Sequence, residues 1–288
     1  MGARPVSVSV SPAIRLTRRA DTPDFSVSGI DLHDIAGPRA PVTVLDEFRV
    51  TGRPFPPHPH AGFSAVTYVL PGSAGGLRSR DSLGHDITVG PGGIVWTEAG
   101  HGLLHHEVPS DPDKMLHGLQ IFVNASARAK LGPPRLLWLD GAAVPIHRDG
   151  EGVLARVVVG EFGGVRSPLE PTEPFTLLDV DLTGSTSFAL GEDQFATVYA
   201  RSGRVELGAG HSPRTLQRSE IATLHGGADR ISIEALDPAN VLILVGLEIR
   251  DPVVAHGPFI MNSEDQIRDA AARYTRGAMG SLPALAND

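Results

Sequence analysis

The chain contains no cysteine, which excludes disulfides and thiolate ligands together. Any metal bound here must be held by nitrogen and oxygen donors. A basic cluster is also missing, and the formal charge is −8. The charge balance therefore argues against an electrostatically driven, direct grip on DNA or RNA. No apolar run reaches membrane-spanning length. The opening "MGARPVSVSVSPAIRL" is too polar and proline-interrupted for a signal peptide. It also misses the myristoylation pattern, because Val6 stands where Ser or Thr is required. A soluble, cytoplasmic protein is expected, so the acceptor-like "NAS" at 124–126 reads as chance.

Aromatic residues are scarce at 5%, whereas glycine (33) and proline (24) are abundant. Over 288 residues that balance suits many short strands joined by tight turns. Such runs recur, among them "VTVLDEFRV" (42–50), "SAVTYVL" (64–70), "GGIVWTEA" (92–99), "LHGLQIFVN" (116–124), "LARVVVGEF" (154–162), "FTLLDVDL" (175–182), "FATVYAR" (195–201), "RISIEAL" (230–236) and "VLILVGLEI" (241–249). Turn signals such as Pro71-Gly72, Gly90-Pro91-Gly92-Gly93 and Gly226-Gly227 separate them. The exception is "NSEDQIRDAAARYTRG". It offers a capping box at Ser263 and Gln266, apolar positions Ile267, Ala270, Ala271 and Tyr274 at helical spacing, and Gly277 as a stop.

The two halves echo one another. Tyr68 and Gly72 match Tyr199 and Gly203, and the span from Ile94 to Glu107 matches that from Ile221 to Glu234. Two β-barrels from one duplicated unit are expected. The N-terminal barrel covers 1–140, and the C-terminal barrel covers 141–288 with the helix outside it.

Two constellations carry chemistry. "HPH" places His58 and His60 at i and i+2, and "EAGHGLLHHEVP" places His105 and Glu107 likewise. Strand residues two apart share a face, so each pair aims one way and His106 aims the other. If the two faces meet inside a barrel, three imidazoles and one carboxylate converge. That donor set suits one divalent first-row metal, with Fe(II), Mn, Ni, Cu, Zn and Co all candidates, and leaves coordination positions open. Surface histidine richness is the competing reading, but two i,i+2 pairs beside β-runs argue against it. Carried across the repeat, the four positions land on Ala189, Gly191, Ser232 and Glu234. One carboxylate holds no ion, so the second barrel should be metal-free. Of the other histidines, His85 reads as a solvated turn residue and His117 as satisfying a core carbonyl. His101 is a candidate hydrogen-bond donor to Glu107 or to a bound substrate. His33, His147, His211, His225 and His256 read as isolated.

"HPHAGFSAVTYVLPG", "SRDSLGHDITVGPGGIVWTEAGHGLLHHEVP", "MLHGLQIFVN" and "GPFIMNSEDQIRDAAARYTRG" together resemble the pirins, two-barrel (bicupin) members of the cupin superfamily. The resemblance implies a single metal, iron in pirins, on His58, His60, His105 and Glu107. Pirins usually follow HPH with Arg-Gly-Phe-Glu where Ala61, Gly62, Phe63 and Ser64 stand here, and carry Arg in place of His101. None of these departures touches a ligand, though they change the charge beside the pocket. Two functions are implied. One is a quercetin 2,3-dioxygenase that opens flavonols with molecular oxygen, with Glu107 both ligand and catalytic proton acceptor. The other is a non-catalytic, iron-dependent regulator that binds transcription factors or metabolic enzymes.

Overall fold

The computed structural model describes residues 8–283 and 285, except 33–35, 38, 53–54, 151 and 209–212. His33 and His211 lie outside the described residues. The described chain is mostly antiparallel strand, in two units that each pair a large sheet with a four-stranded one. It is an all-β, two-barrel cupin fold with a C-terminal helix.

The first barrel comprises Thr17–His33, Val42–Val144 and Ile249–Asp288. Its seven-stranded sheet runs in the order Arg135–Leu139, Ile94–Glu98, Phe63–Val69, Leu116–Asn124, Val42–Val50, Phe25–Asp31, Thr17–Asp21. Its four-stranded sheet runs His58–His60, Leu103–Pro109, Leu77–Asp81, Asp86–Val89. Val50, Val69, Leu77, Val89, Val95, Leu116 and Leu136 form an apolar core within this barrel.

The second barrel comprises Met1–Leu16, Asp34–Pro41 and Pro145–Glu248. Its small sheet runs Ser185–Leu190, Ala228–Ala235, Val205–Gly208, Arg214–Leu216. Tyr68 pairs with Ile94 in the first barrel, and Tyr199 with Ile221 in the second. All four are buried, as the repeat requires.

The chain ends depart from the division expected at residue 140. Strands Ser9–Val10 and Ile14–Arg15 pair with Glu220–His225, covering an edge of the second barrel that would otherwise expose unpaired backbone groups. The helix Glu264–Thr275 belongs to the first barrel, where Ile267 and Ala270 pack with Ala61, Phe259, Met261 and Met279. Ser263 caps it by accepting from the Gln266 amide, and Gln266 reaches back to the Asn262 amide. Gly277, at φ 73°, ends it. Ala271 and Tyr274, at the same helical spacing, are exposed, because only one narrow face of the helix meets the barrel.

Candidate metal centre

Local strand geometry gathers the histidines. His58 and His60 lie two apart on one short strand, and His58 stands directly opposite His105 on the next. Directly opposed antiparallel residues bring their side chains within about 5 Å at Cβ. The three rings form a triangle, with centroids 4.8 Å (His58–His60), 4.6 Å (His58–His105) and 4.7 Å (His60–His105) apart. One nitrogen from each lies within 4.8 Å of the others.

The donor set fits a cation. Nε2 of His58 and Nε2 of His105 face each other at 3.1 Å. Two imidazole–metal bonds of about 2.1 Å at right angles would place the nitrogens about 3 Å apart. His58 donates from Nδ1 to the Pro56 carbonyl at 3.0 Å, which fixes the tautomer and leaves its Nε2 lone pair for the triad. Burial, followed by the neighbouring charge of His58, lowers the pKa of His60 to about 3, against a small opposing effect of the Pro258 carbonyl. Burial also holds His105 well below the ordinary imidazole range, helped by His60, His58 and His106. Both rings are therefore neutral rather than cationic near neutral pH, the form a cation would need.

Glu107 stands beside the triad rather than inside it. Its Oε1 lies 4.0 Å from Nδ1 of His105, and its Oε2 accepts a 2.5 Å hydrogen bond from the Thr67 hydroxyl. Burial raises its pKa to about 7, although Thr67 and Ser79 pull the other way. Nδ1 of His60 and Oε1 of Glu107 are buried without a hydrogen-bond partner of good geometry. Such orphaned atoms are costly unless something absent from the polypeptide satisfies them.

An apolar wall backs the triad. Phe63 and Phe122 lie edge-on to His60 at 5.0 and 5.7 Å, and pack with Ala65 and Ile260. The backbone after His60 is held by Lys130, which is fully buried. Its ammonium donates to Gly62 O at 2.7 Å, Ile260 O at 2.9 Å and Asn124 Oδ1. Gly62 has φ 84°, and a Cβ there would stand 1.9 Å from Ile260 O, so only glycine fits. Asn124 is buried as Lys130's partner, consistent with its acceptor pattern being chance.

The remaining histidines fall elsewhere. His106 points away from the triad, and its Nε2 bonds the Phe55 carbonyl at 2.9 Å, so it pins the segment leading into His58. His85 is tied to the buried Asp81 at 2.7 Å rather than solvated; Asp81 also caps the Leu83 and His85 amides. His117 pairs with Glu47 at 2.7 Å, a carboxylate rather than a core carbonyl. His101 is exposed, and its backbone joins Gly132 and Arg273. His225 is not isolated: it stacks on Phe195 at 4.1 Å. His147 lies edge-on to Phe162.

In the second barrel the ladder shifts the expected equivalents by one residue. Glu107 pairs with Ser79, and His105 with both His58 and Asp81; the matching partners are Ile233 with Leu207 and Ile231 with Phe188. The positions facing the core are thus Phe188, Leu190, Ile231 and Ile233. Ala189, Gly191 and Glu234 are exposed and Ser232 is half-buried. The turn Gly226-Gly227 is shorter than residues 99–102, and that difference carries the slip. Every second-barrel counterpart of the four is apolar.

Two family models match this chain, Pirin over residues 24–123 and the Pirin C-terminal cupin domain over 177–280. Human pirin is 32% identical over 246 residues, 83% of each chain. A Pseudomonas aeruginosa protein provisionally named a quercetin 2,3-dioxygenase is 32% identical over 254 residues, 83% of this chain and 86% of that one. The crystal structure of a quercetin 2,3-dioxygenase from Acinetobacter baumannii superposes with TM-score 0.83 at 24% identity, covering 96% of this chain and all of that one. Among the described residues no helix is long and apolar enough to cross a membrane. With both barrels matched and the relatives aligned over most of their length, the chain belongs to the pirin family.

Proposed function

We propose that the first barrel holds one divalent transition metal, iron(II) as made in the cell, through His58, His60, His105 and Glu107, and acts as a quercetin 2,3-dioxygenase-type oxygenase on flavonols. The observation that carries this reading is the convergence of three imidazole donors within 4.8 Å in an aromatic-walled interior. The name given to the Pseudomonas relative supports the substrate class. When bound, the metal supplies a Lewis-acid and redox centre for a flavonol hydroxyl and dioxygen. The protein supplies the rest. His60 and His105 stay neutral and bind, while Phe63 and Phe122 exclude water and face a planar aromatic ligand. Glu107, besides holding the metal, takes the flavonol hydroxyl proton.

The test is metal analysis of the purified protein, followed by anaerobic mixing with a flavonol and admission of oxygen. Ring opening with release of carbon monoxide, lost in His105→Ala, is expected. A fully loaded protein that leaves flavonols intact would refute the oxygenase reading and leave the regulatory one.

A further inference from the structure

The polar character of the first barrel's interior extends past the four proposed ligands. A row of laterally paired residues crosses its large sheet: Thr67 opposite Gln120, and Gln120 opposite Asp46. The equivalent row of the second barrel is Val198, Ile243 and Leu178, all buried in its apolar core. The fold thus accepts aliphatic side chains at these places, and something specific to the first barrel calls for polar ones.

The contacts say what. Thr67 is buried, and its hydroxyl lies 2.5 Å from Glu107 Oε2 and 3.2 Å from Gln120 Oε1. Gln120 is itself anchored by donating from Nε2 to the Val66 carbonyl at 3.2 Å. A hydroxyl carries one proton, so it serves one of these two acceptors at a time. The carboxylate is nearer, and charge-assisted bonds are the stronger. The Gln120 side chain then limits rotation of the Thr67 hydroxyl. With Oε2 occupied, Glu107 has one oxygen to spare, and that oxygen, Oε1, is buried and makes no hydrogen bond of good geometry. Ser79, opposite Glu107 on the ladder, is fully buried, and its hydroxyl is a second group acting on the Glu107 carboxyl beside Thr67.

We infer that Thr67, steadied by Gln120, is a positioning residue that locks Oε2 of Glu107 and thereby presents Oε1 to the metal. The inference rests on the proposed ligand set. Second-sphere partners of this kind typically contribute 10- to 100-fold to metal affinity.

Cobalt(II) is the probe, because its visible d–d bands report coordination number. Wild type, Thr67→Val, Thr67→Ser, Thr67→Ala and Glu107→Gln are titrated with cobalt(II) against a chelator, and spectra are recorded on the loaded proteins. Thr67→Val should fold, since Val198 fills the same position in the second barrel, and should bind cobalt(II) about 10- to 100-fold more weakly. Its bands should move toward those of Glu107→Gln, and Thr67→Ser should restore both affinity and spectrum. Where Thr67→Val fails to fold, Thr67→Ser and Thr67→Ala decide the matter, because both lose the methyl group and only the first keeps the hydroxyl. Wild-type affinity and spectrum in Thr67→Val, or equal behaviour of the Ser and Ala variants, overturns the inference. Absence of cobalt(II) binding in wild type, or full binding in His58→Ala, instead overturns the ligand set beneath it.

Discussion

The two barrels share one strand frame and differ in what that frame encloses. Position by position, Asp46, His58, His60, Thr67, Ser79, Thr97, His105, Glu107 and Gln120 in the first are matched by Leu178, Phe188, Leu190, Val198, Leu207, Leu224, Ile231, Ile233 and Ile243 in the second. The second set belongs to one apolar cluster, with Phe188 packed against it, and gains stability from burial. The first set gives up that stabilisation to bring polar groups into the interior, three converging imidazoles among them. Chemistry on this fold is a property of interior substitutions rather than of the barrel, in keeping with sites being grafted onto folds.

That contrast can be broken from either side. Removing His105 from the first barrel should have the largest effect: bound metal in His105→Ala should fall from one per chain to a small fraction of it, as measured by elemental analysis. Next in size is the reverse exchange. Ile233→Glu would bury an unpaired carboxyl among aliphatics and should lower unfolding stability by roughly 3–5 kcal/mol, read from the denaturant midpoint. Glu107→Ile in metal-free protein should raise the midpoint, because it removes a buried carboxyl whose Oε1 makes no hydrogen bond of good geometry. A loss there as large as that from Ile233→Glu would erase the distinction between the interiors.

The pH dependence of the metal-free protein sharpens the comparison. His60 (about 3) and His105 (well below the usual value) have depressed folded-state pKa values. The unfolded chain therefore takes up protons near pH 6.5 that the folded barrel refuses, and stability drains away as pH falls through that value. Glu107 acts oppositely between its ordinary 4.5 and its folded value of about 7. Two groups oppose one, so the melting temperature should drop between pH 7 and pH 5. Glu107→Gln should steepen the drop; a flat profile in that variant would contradict the assignment. The smallest effect is expected at His106. His106→Ala should keep one metal per chain and lose about 1 kcal/mol with the Phe55 hydrogen bond, a melting-point shift of a few degrees. Loss of metal there would place His106 among the ligands.

The sequence carries much of this in its two-residue period. HPH and HHE are enough to aim His58, His60 and His105 one way and His106 the other, because alternation is local. The long strands Val42–Val50, Leu116–Asn124 and Phe175–Leu182 are equally legible from their β-rich runs. Short polar strands such as Val205–Gly208 and Arg214–Leu216 leave no such pattern. The one-residue slip that exchanges Ser232 and Glu234 for Ile231 and Ile233 arises in a turn, where spacing is unconstrained by the ladder. The docking of the C-terminal helix on the first barrel, and the meeting of Thr67 with Gln120 across 53 residues, are long-range pairings that no local period encodes. The stacking of His225 on Phe195 is another such pairing, whereas the contact of His85 with Asp81, four residues back, depends on how the turn between them folds.

The central claim is one metal, in the first barrel, on three histidines and Glu107. Anomalous diffraction at the absorption edge of the bound metal tests it most directly. A single peak within bonding distance of His58 Nε2, His60, His105 Nε2 and Glu107 Oε1 is the expected result. A second peak beside Glu234, or a peak in the first barrel with Glu107 still held away from it, would contradict the account.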